Sequence, residues 1–260
     1  LDVGMGEPGT ALFNAVHQGL DVKVVCGTSA YTEGYARIPF VVRKDLIDSG
    51  EVSKITNLAG RKIGIHTLRG MGEYSLSLVL GLGGLTVDDV EFVTIPFPDI
   101  PAALANKAID AAYLPSPMAE KAAADGIAIR MFGSDYQEDL QNGVMYYGKR
   151  FLDPANREVT IRFTTAYLRA VRELMGDGFF KEENLAIINK YTNLPVEVIK
   201  STIRTYTDPN CDVLEDSLIA TQAFYVDRGY TEYSQPSPLV DVLDMSYREE
   251  ALKRLGIYGE

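Results

Sequence analysis

A turn between a strand-like run and a helix pattern, Thr67–Gly72, carries the residue types best suited to binding a small polar ligand. Backbone N–H groups at a helix start are unpaired and lie at the positive end of the helix dipole. Gly70 and Gly72 let a ligand approach that backbone closely, and Arg69 can donate two hydrogen bonds to a carboxylate, sulfonate or phosphate-like group. The alternative is a plain turn with a solvated arginine. We predict four ligand contacts here: Thr67, Arg69, Gly70 and Met71.

A second strand-to-helix turn, Glu7–Thr10, has the opposite charge preference. A carboxylate beside a helix start disfavours an anionic ligand and suits an amine or another N–H donor. Glu7 is therefore a candidate ligand contact, the alternative being a solvated turn charge. Thr10 either caps the helix with its hydroxyl or offers that hydroxyl to the ligand.

Small hydroxyls and aromatic rings follow two further strand-like runs, residues 22–25 and 109–112. Such groups at strand ends suit an oriented organic ligand. The candidate contacts are Thr28, Ser29, Tyr31, Tyr113 and Ser116. For the first three the alternative is an ordinary hydrophilic loop, and for Ser116 it is helix capping.

No arrangement of residues indicates catalysis. The sequence has no Ser/His/Asp set in a nucleophile-elbow context and no phosphate loop ending in Gly-Lys-Ser/Thr. Cys26 and Cys211 lack metal-ligand spacing, and the sequence leaves open whether they are two buried thiols or a disulfide. We predict that the protein is not an enzyme and holds neither a cofactor nor a metal ion.

Composition and charge limit the kinds of molecule that we expect the protein to bind. The 260 residues carry a net charge of −11 and are 46% hydrophobic, which is typical of a packed globular protein. Binding to a phosphate backbone needs clustered Lys and Arg, so nucleic acid is not an expected partner. No apolar run approaches the roughly 20 residues that span a bilayer. No secretory signal is visible, and the sequence leaves open whether one was removed.

The elements that position these residues occur in the same order twice along the chain. In residues 1–25 and again in 109–130, a short apolar strand, a Pro-bearing turn, a helix, a Gly stop and a further strand follow each other. Alternating strands and helices predict an α/β fold with mainly parallel sheets, which bind ligands at the carboxyl ends of strands. Two copies of this strand–turn–helix–strand pattern suggest two lobes facing a shared cleft. We predict lobe one from residues 1–41 and 135–260, with a helical C-terminal tail, and lobe two from residues 42–134.

Four groups of segments carry a resemblance to a known family: Leu1-Asp2-Val3-Gly4 with Gly6 and Pro8; Val41-Val42-Arg43-Lys44-Asp45-Leu46 with Leu58-Ala59-Gly60-Arg61-Lys62-Ile63-Gly64-Ile65; Pro96-Phe97-Pro98-Asp99 with Ala102-Ala103-Leu104 and Ile109-Asp110-Ala111-Ala112; and Val240-Asp241 with Asp244-Met245-Ser246-Tyr247. In their order and spacing the chain resembles the substrate-binding proteins of ABC importers. The similar branch is the NMT1/THI5-like group for sulfonates, taurine, nitrate and thiamine-precursor pyrimidines. Its members carry further β–α units before the strand that Leu1-Asp2-Val3-Gly4 resembles. The resemblance therefore implies either a truncated sequence or a naturally abbreviated first lobe.

The resemblance implies a type II periplasmic-binding fold, a two-lobed clamshell that closes over its ligand. It implies a monomer, periplasmic or lipid-anchored outside the cytoplasm, that binds a small sulfonate, carboxylate or pyrimidine-like molecule in the interlobe cleft and presents it to an ABC permease. The alternatives are an enzyme of the thiamine-pyrimidine-synthesis type on the same fold and a ligand-sensing domain. That enzyme class carries a Cys-rich iron-binding motif, whereas Cys26 and Cys211 stand alone here.

Overall fold

The computed structural model describes residues 2–32, 35, 39–132, 139–201 and 204–259. The strands are β1 (Val3–Gly6), β2 (Val22–Tyr31), β3 (Phe40–Arg43), β4 (Lys62–Ile65), β5 (Glu91–Thr94), β6 (Ala111–Tyr113), β7 (Ala128–Phe132) and β8 (Leu140–Gly148). The helices are α1 (Thr10–His17), α2 (Lys44–Asp48), α3 (Met71–Gly81), α4 (Ile100–Ala105), α5 (Met118–Ala124), α6 (Lys149–Leu152), α7 (Arg157–Glu173), α8 (Glu182–Thr192), α9 (Val196–Ser201), α10 (Glu215–Asp227), α11 (Leu239–Val242) and α12 (Ser246–Leu255).

The chain divides into two compact units. The first unit comprises Leu1–Ala30 and Asp139–Glu260, and the second comprises Tyr31–Glu138. Each unit has its own sheet, so the strands containing Val24 and Ile63 belong to different sheets. The lobe boundaries placed after residues 41 and 134 from the sequence stay a prediction.

The first unit is built on a three-stranded sheet in the order β1-β8-β2. Strand β1 runs antiparallel to β8, with Gly4 opposite Tyr146. The predicted helical C-terminal tail is confirmed, and its helices α7 and α12 pack on this sheet. A buried core joins sheet and helices: Val25, Cys26, Met145, Tyr147, Ile161, Leu168, Val171, Cys211, Tyr247 and Ala251.

The second unit is built on a five-stranded sheet in the order β5-β4-β6-β3-β7. Strand β4 is parallel to both β5 and β6. Its core is formed by small and branched apolar side chains: Val41, Ile100, Ala103, Leu104, Ile109, Ala112, Leu114, Ala119, Ala122 and Ala128.

The prediction of mainly parallel sheets is wrong at two places. Strand β3 runs antiparallel to both β6 and β7 in the second unit, and β1 runs antiparallel to β8 in the first. The physical reason is that an apolar run indicates burial and gives no direction. Val41 and Val42 are both fully buried, and such a strand has the same sequence pattern whichever way it runs.

The repeated strand–turn–helix–strand pattern is confirmed. Strand β1, helix α1, Gly19 and β2 follow each other in the first unit, and β6, α5, Gly126 and β7 do so in the second. Gly19 and Gly126 have φ angles of +73° and +72°. A side chain would strain this left-handed conformation, which explains why both helices end at glycine.

The run of Gly, Thr, Ser and Tyr in residues 27–34 predicts a loop. This prediction is wrong as far as Tyr31, because β2 continues to that residue. Its backbone is paired there: Gly27 N–H donates to the Cys211 carbonyl (3.0 Å) and Ala30 N–H to the Tyr206 carbonyl (2.9 Å). These partners come from a distant part of the sequence, so no local pattern could reveal them. Glu33 and Gly34, the end of the predicted loop, lie outside the described residues.

Candidate functional site

The first unit places Glu7 and Thr10 between the carboxyl end of β1 and the start of α1, and both residues are half-buried. The N-cap position of α1 is Gly9, without a side-chain cap bond, and the helix begins at Thr10. Thr10 is therefore the first residue of the helix and does not occupy its N-cap position. The Glu7 carboxylate stands close in sequence to the positive end of α1, an arrangement that helix dipoles stabilise.

A groove of about 620 Å³ lies along α1 in the first unit. Its walls include Glu7, Tyr146 and the α1 residues Ala11, Leu12 and Ala15. This volume is in the range of small-molecule pockets, which are commonly apolar with a few polar groups.

Two adjacent tyrosines of β8 have different environments. From the sequence alone, Tyr146 and Tyr147 could each contact a ligand or pack in the core. Tyr147 is fully buried and its hydroxyl shares a hydrogen bond with the Thr164 hydroxyl at 2.7 Å. Burial raises the pKa of Tyr147 well above its ordinary value. Tyr146 instead is half-buried and lines the groove, which makes it an additional candidate ligand contact.

Thr28 and Ser29 lie side by side against β8. Their hydroxyl oxygens border the α-carbon of Gly143, where a methyl group would lie 2.7 Å and 2.6 Å from them. The Asn142 amide donates to the Ser29 hydroxyl at 3.3 Å, and the carbonyl oxygen of that amide is buried with no hydrogen-bond partner among the described residues. Asn142 was missed by sequence reasoning, although a polar pair inside an apolar strand was a signal for it.

In the second unit the predicted turn lies at the carboxyl end of β4. Thr67 and Arg69 are exposed. The Thr67 hydroxyl is hydrogen-bonded to His66 Nε2 at 2.9 Å, and the His66 ring stacks on Phe97 with centroids 4.4 Å apart. Arg69 has a φ angle of 58°, the left-handed conformation that costs a side chain free energy.

Neither Gly70 nor Gly72 has a positive φ angle. The left-handed residue is Arg69, whereas Gly70 is extended with φ −133° and is the N-cap of α3. Gly72 lies within α3, and a methyl group added there would lie 3.4 Å from Ile65 Cγ1. A methyl group at Gly72 would therefore make an ordinary van der Waals contact with the strand. Met71 is fully buried.

The first turn of α3 also contains a carboxylate of the protein itself. The Glu73 carboxylate, only 2% exposed, accepts a hydrogen bond from Arg69 N–H at 2.8 Å. A negative charge in the first turn of a helix is favourable. An anionic ligand group would have to compete with this carboxylate for that N–H group.

The second unit brings Tyr31 and Tyr113 together. Their hydroxyl groups are hydrogen-bonded at 2.7 Å, and both residues are 1% exposed. Ser116 donates to the Glu120 carboxylate at 2.7 Å. The N-cap position of α5 is Pro117, so the prediction that Ser116 caps this helix is wrong. Ligand contact by these residues, as by the others above, stays a prediction.

Two classes of feature are not found in the part of the chain that the structure describes. Within those ranges no three His, Cys, Asp or Glu residues are grouped so as to hold a metal ion. The same ranges contain no helix with the length and apolar character needed to cross a membrane.

Comparison with known proteins identifies a matching family and similar folds. The family model described as NMT1/THI5 like matches residues 7–178. None of the curated proteins matches the chain.

Three solved structures illustrate the structural likeness. The nitrate-binding protein NrtA from Synechocystis PCC 6803 has a TM-score of 0.76 at 13% identity, over 98% of this chain and 74% of its own. The aliphatic sulphonate binding protein SsuA from Escherichia coli has a TM-score of 0.67 at 16% identity, over 95% and 75%. The alkanesulfonate-binding protein SsuA from Xanthomonas axonopodis pv. citri, bound to MOPS, has a TM-score of 0.65 at 18% identity, over 94% and 78%.

Proposed function

Because the chain belongs to the NMT1/THI5-like family, we propose that it is the solute-binding component of an ABC importer. Its fold is that of periplasmic binding proteins, and nearly the whole chain superposes on two of them. In this role the protein binds a small organic molecule outside the cytoplasm and presents it to a membrane permease. It acts as a monomer, either free in the periplasm or held by a lipid anchor.

One observation supports the proposal most directly: the family match coincides with structural likeness to proteins described as binding sulfonates and nitrate. All three are described as binding proteins, which favours a binding role over the alternative of a pyrimidine-synthesis enzyme on the same fold. A ligand-sensing role has no separate observation in its favour.

The proposed ligand is a sulfonate, a carboxylate or a pyrimidine-like molecule. The candidate contacts in the first unit are Glu7, Thr10, Thr28 and Ser29, joined by Tyr146 and Asn142. In the second unit they are Tyr31, Thr67, Arg69, Gly70, Met71, Tyr113 and Ser116. In the first unit Glu7 suits an N–H donor, and in the second unit Arg69 suits an anionic group.

The test is a thermal melt of the purified protein with a panel of solutes: taurine, MOPS, nitrate, a pyrimidine, and sodium chloride as the control. A ligand present at 100 times its Kd stabilises the folded state by about 2.7 kcal/mol, which corresponds to a Tm rise of about 5–10 °C for a chain of this size. Native mass spectrometry of the untreated protein would identify a ligand that co-purifies. Reproducible turnover of a panel member would contradict the proposal.

Arg69→Ala tests the turn before α3 once a panel member binds. We expect it to weaken binding by about 1.5–3 kcal/mol if the guanidinium donates to a charged group. Folding stability should change by less than about 0.5 kcal/mol because the side chain is exposed. Lys121→Ala, another exposed cation of the second unit, is the matched control and should leave affinity unchanged. Equal affinity in both variants would remove Arg69 from the site.

A further inference from the structure

Cys26 and Cys211 are neighbours in the core of the first unit, although 184 residues separate them in the sequence. Both are completely buried. The residue after Cys26, Gly27, donates its N–H to the Cys211 carbonyl at 3.0 Å, which brings the two cysteine backbones side by side. Both thiols are free in this structure and belong to the same buried core cluster. The neighbouring backbones and the shared cluster make the pair a candidate for a disulfide.

The turn that carries Cys211 is held in place from several sides. The Asp208 carboxylate accepts hydrogen bonds from the N–H groups of Asn210 (2.8 Å) and Asp212 (3.2 Å). Arg248 of α12 donates to the Asn210 carbonyl at 2.6 Å, and Arg172 of α7 donates to the Asn210 side chain at 2.8 Å. Cys211 itself has a φ angle of 56°. A side chain is seldom kept in this left-handed conformation without a specific local reason.

We propose that Cys26 and Cys211 are joined by a disulfide when the chain folds in an oxidising compartment, and that this bond fastens the 206–211 segment to β2. In the reaction, a thiolate of one cysteine attacks a small-molecule or oxidoreductase disulfide and releases one thiol. The other cysteine thiolate then displaces the second thiol from the mixed disulfide. Two protein thiols and one disulfide thus give one protein disulfide and two thiols.

The bond forms during folding and not afterwards. In the folded chain, the hydrogen bond with Cys211 and burial both raise the pKa of the Cys26 thiol well above its ordinary value. A protonated, buried thiol is a poor nucleophile and is inaccessible to oxidants. Once formed, the disulfide is protected from reductants by the same burial.

The bond would act on a candidate ligand-binding edge. The cross-linked segment runs along β2: Thr207 donates to the Thr28 carbonyl at 2.8 Å, and Ala30 N–H donates to the Tyr206 carbonyl at 2.9 Å. Thr28 and Ser29 lie between these bonds. The disulfide therefore holds the backbone beneath two candidate ligand contacts, whichever solute is bound.

The experiment refolds the reduced, unfolded chain in two buffers, one with glutathione and glutathione disulfide and one with a reductant. Free thiols are then alkylated in denaturant, and unreduced peptides are examined by mass spectrometry. We expect the oxidised sample to be monomeric, without alkylated cysteine, and to yield one cross-linked peptide pair containing Cys26 and Cys211. Its Tm should exceed that of the reduced sample by about 5–10 °C.

The control is the double variant Cys26→Ala/Cys211→Ala, which should have the same Tm in both buffers. The peptide result in the unsubstituted chain stands on its own if this variant does not fold. Alkylation of both cysteines after folding in the oxidising buffer would overturn the proposal. Disulfide-linked dimers, or a cross-linked form that melts no higher than the reduced one, would overturn it as well.

Discussion

Gly4 and Tyr146 form a complementary pair across β1 and β8. They lie opposite each other in the antiparallel register, and the tyrosine ring occupies the space where a side chain at Gly4 would lie. Gly6 is on the same face of β1, but a methyl group there would lie 3.8 Å from the Tyr146 hydroxyl. The two glycines of one strand therefore have different steric requirements.

Gly4→Ala should destabilise the first unit by about 1–3 kcal/mol, because the added methyl group forces the Tyr146 ring out of its place. Gly6→Ala is the matched control and should be neutral or slightly stabilising, since alanine loses less backbone entropy than glycine on folding. Urea unfolding of both variants measures the difference. Equal stability of the two variants would mean that Tyr146 moves aside without cost.

Asp45 provides a pH-dependent contribution in the second unit. Arg43 contacts its carboxylate at 2.9 Å and Lys107 does so at 2.8 Å, and these hydrogen bonds hold the pKa of Asp45 well below its ordinary value. A lowered folded-state pKa means that the stabilisation is present above the unfolded pKa of about 3.9. It is lost as pH falls through the folded-state pKa.

Asp45→Asn should therefore cost stability at pH 7, and the difference from the unsubstituted chain should shrink steadily below about pH 4. We expect less than about 1 kcal/mol, because the carboxylate is 44% exposed and solvent screens it. Asp48→Asn removes an exposed pair with Lys44 and serves as the control. Denaturant melts across the acid range measure both, and a difference that grows on acidification would contradict the assignment.

Residue types indicated candidate sites better than they indicated side-chain roles. The sequence singled out Arg69 and Gly70, but it could not show that the left-handed residue is the arginine. It also could not show that Glu73 turns back to the start of its own helix. Both depend on backbone angles that are set by packing of α3 against the sheet. Met71 shows the same limit, because its burial follows from tertiary contacts alone.

At the scale of elements, Gln141 joins β8 to two other parts of the first unit. Its side-chain amide donates to the carbonyl groups of Ser29 (2.9 Å) and Gly143 (2.7 Å). Its amide oxygen accepts from Leu214 N–H (2.8 Å) just before α10. The residue is 1% exposed, so its loss would take one hydrogen-bond partner from each of these backbone groups.

Gln141→Met keeps the side-chain volume but removes all three hydrogen bonds. We expect a loss of about 2–4 kcal/mol, because buried backbone groups without partners cost about 1–3 kcal/mol each and partly relax. Asn142→Ala is the neighbouring control and should cost less than about 1.5 kcal/mol, since the Asn142 carbonyl oxygen has no partner to lose. Thermal melts rank the two, and a larger effect at Asn142 would contradict this account.

Element types and order were predictable because they depend on local patterns. The apolar spacing of α7 and the glycines after α1 and α5 are properties of short stretches. Strand direction and the length of β2 were not predictable, since Gly27 and Ala30 find their partners near residues 206–211. Direction at β3 likewise depends on strands far away in the sequence.

At the scale of the whole molecule, the two units differ in how far apart in the sequence their paired strands lie. In the first unit Val3 pairs with Tyr147, whereas the second unit is one continuous stretch, Tyr31–Glu138. Closing a longer loop costs more chain entropy and slows folding. Pulsed hydrogen exchange during refolding should therefore protect the amides of β4 and β6 before those of β1 and β8. Simultaneous protection of both sheets would contradict the prediction.

The divided first unit also has a consequence during synthesis. Strand β1 leaves the ribosome long before β8, and the 108 residues of the second unit take roughly 5–20 s to translate at usual rates. Throughout that interval β1 lacks β8, the strand with which it pairs in the folded first unit, and the edge that β8 covers stays open. For a protein exported as proposed above, late completion of this sheet keeps the nascent chain unfolded long enough to be threaded through a translocation channel. Variants that shorten the delay by speeding closure of the first unit should accumulate inside the cell.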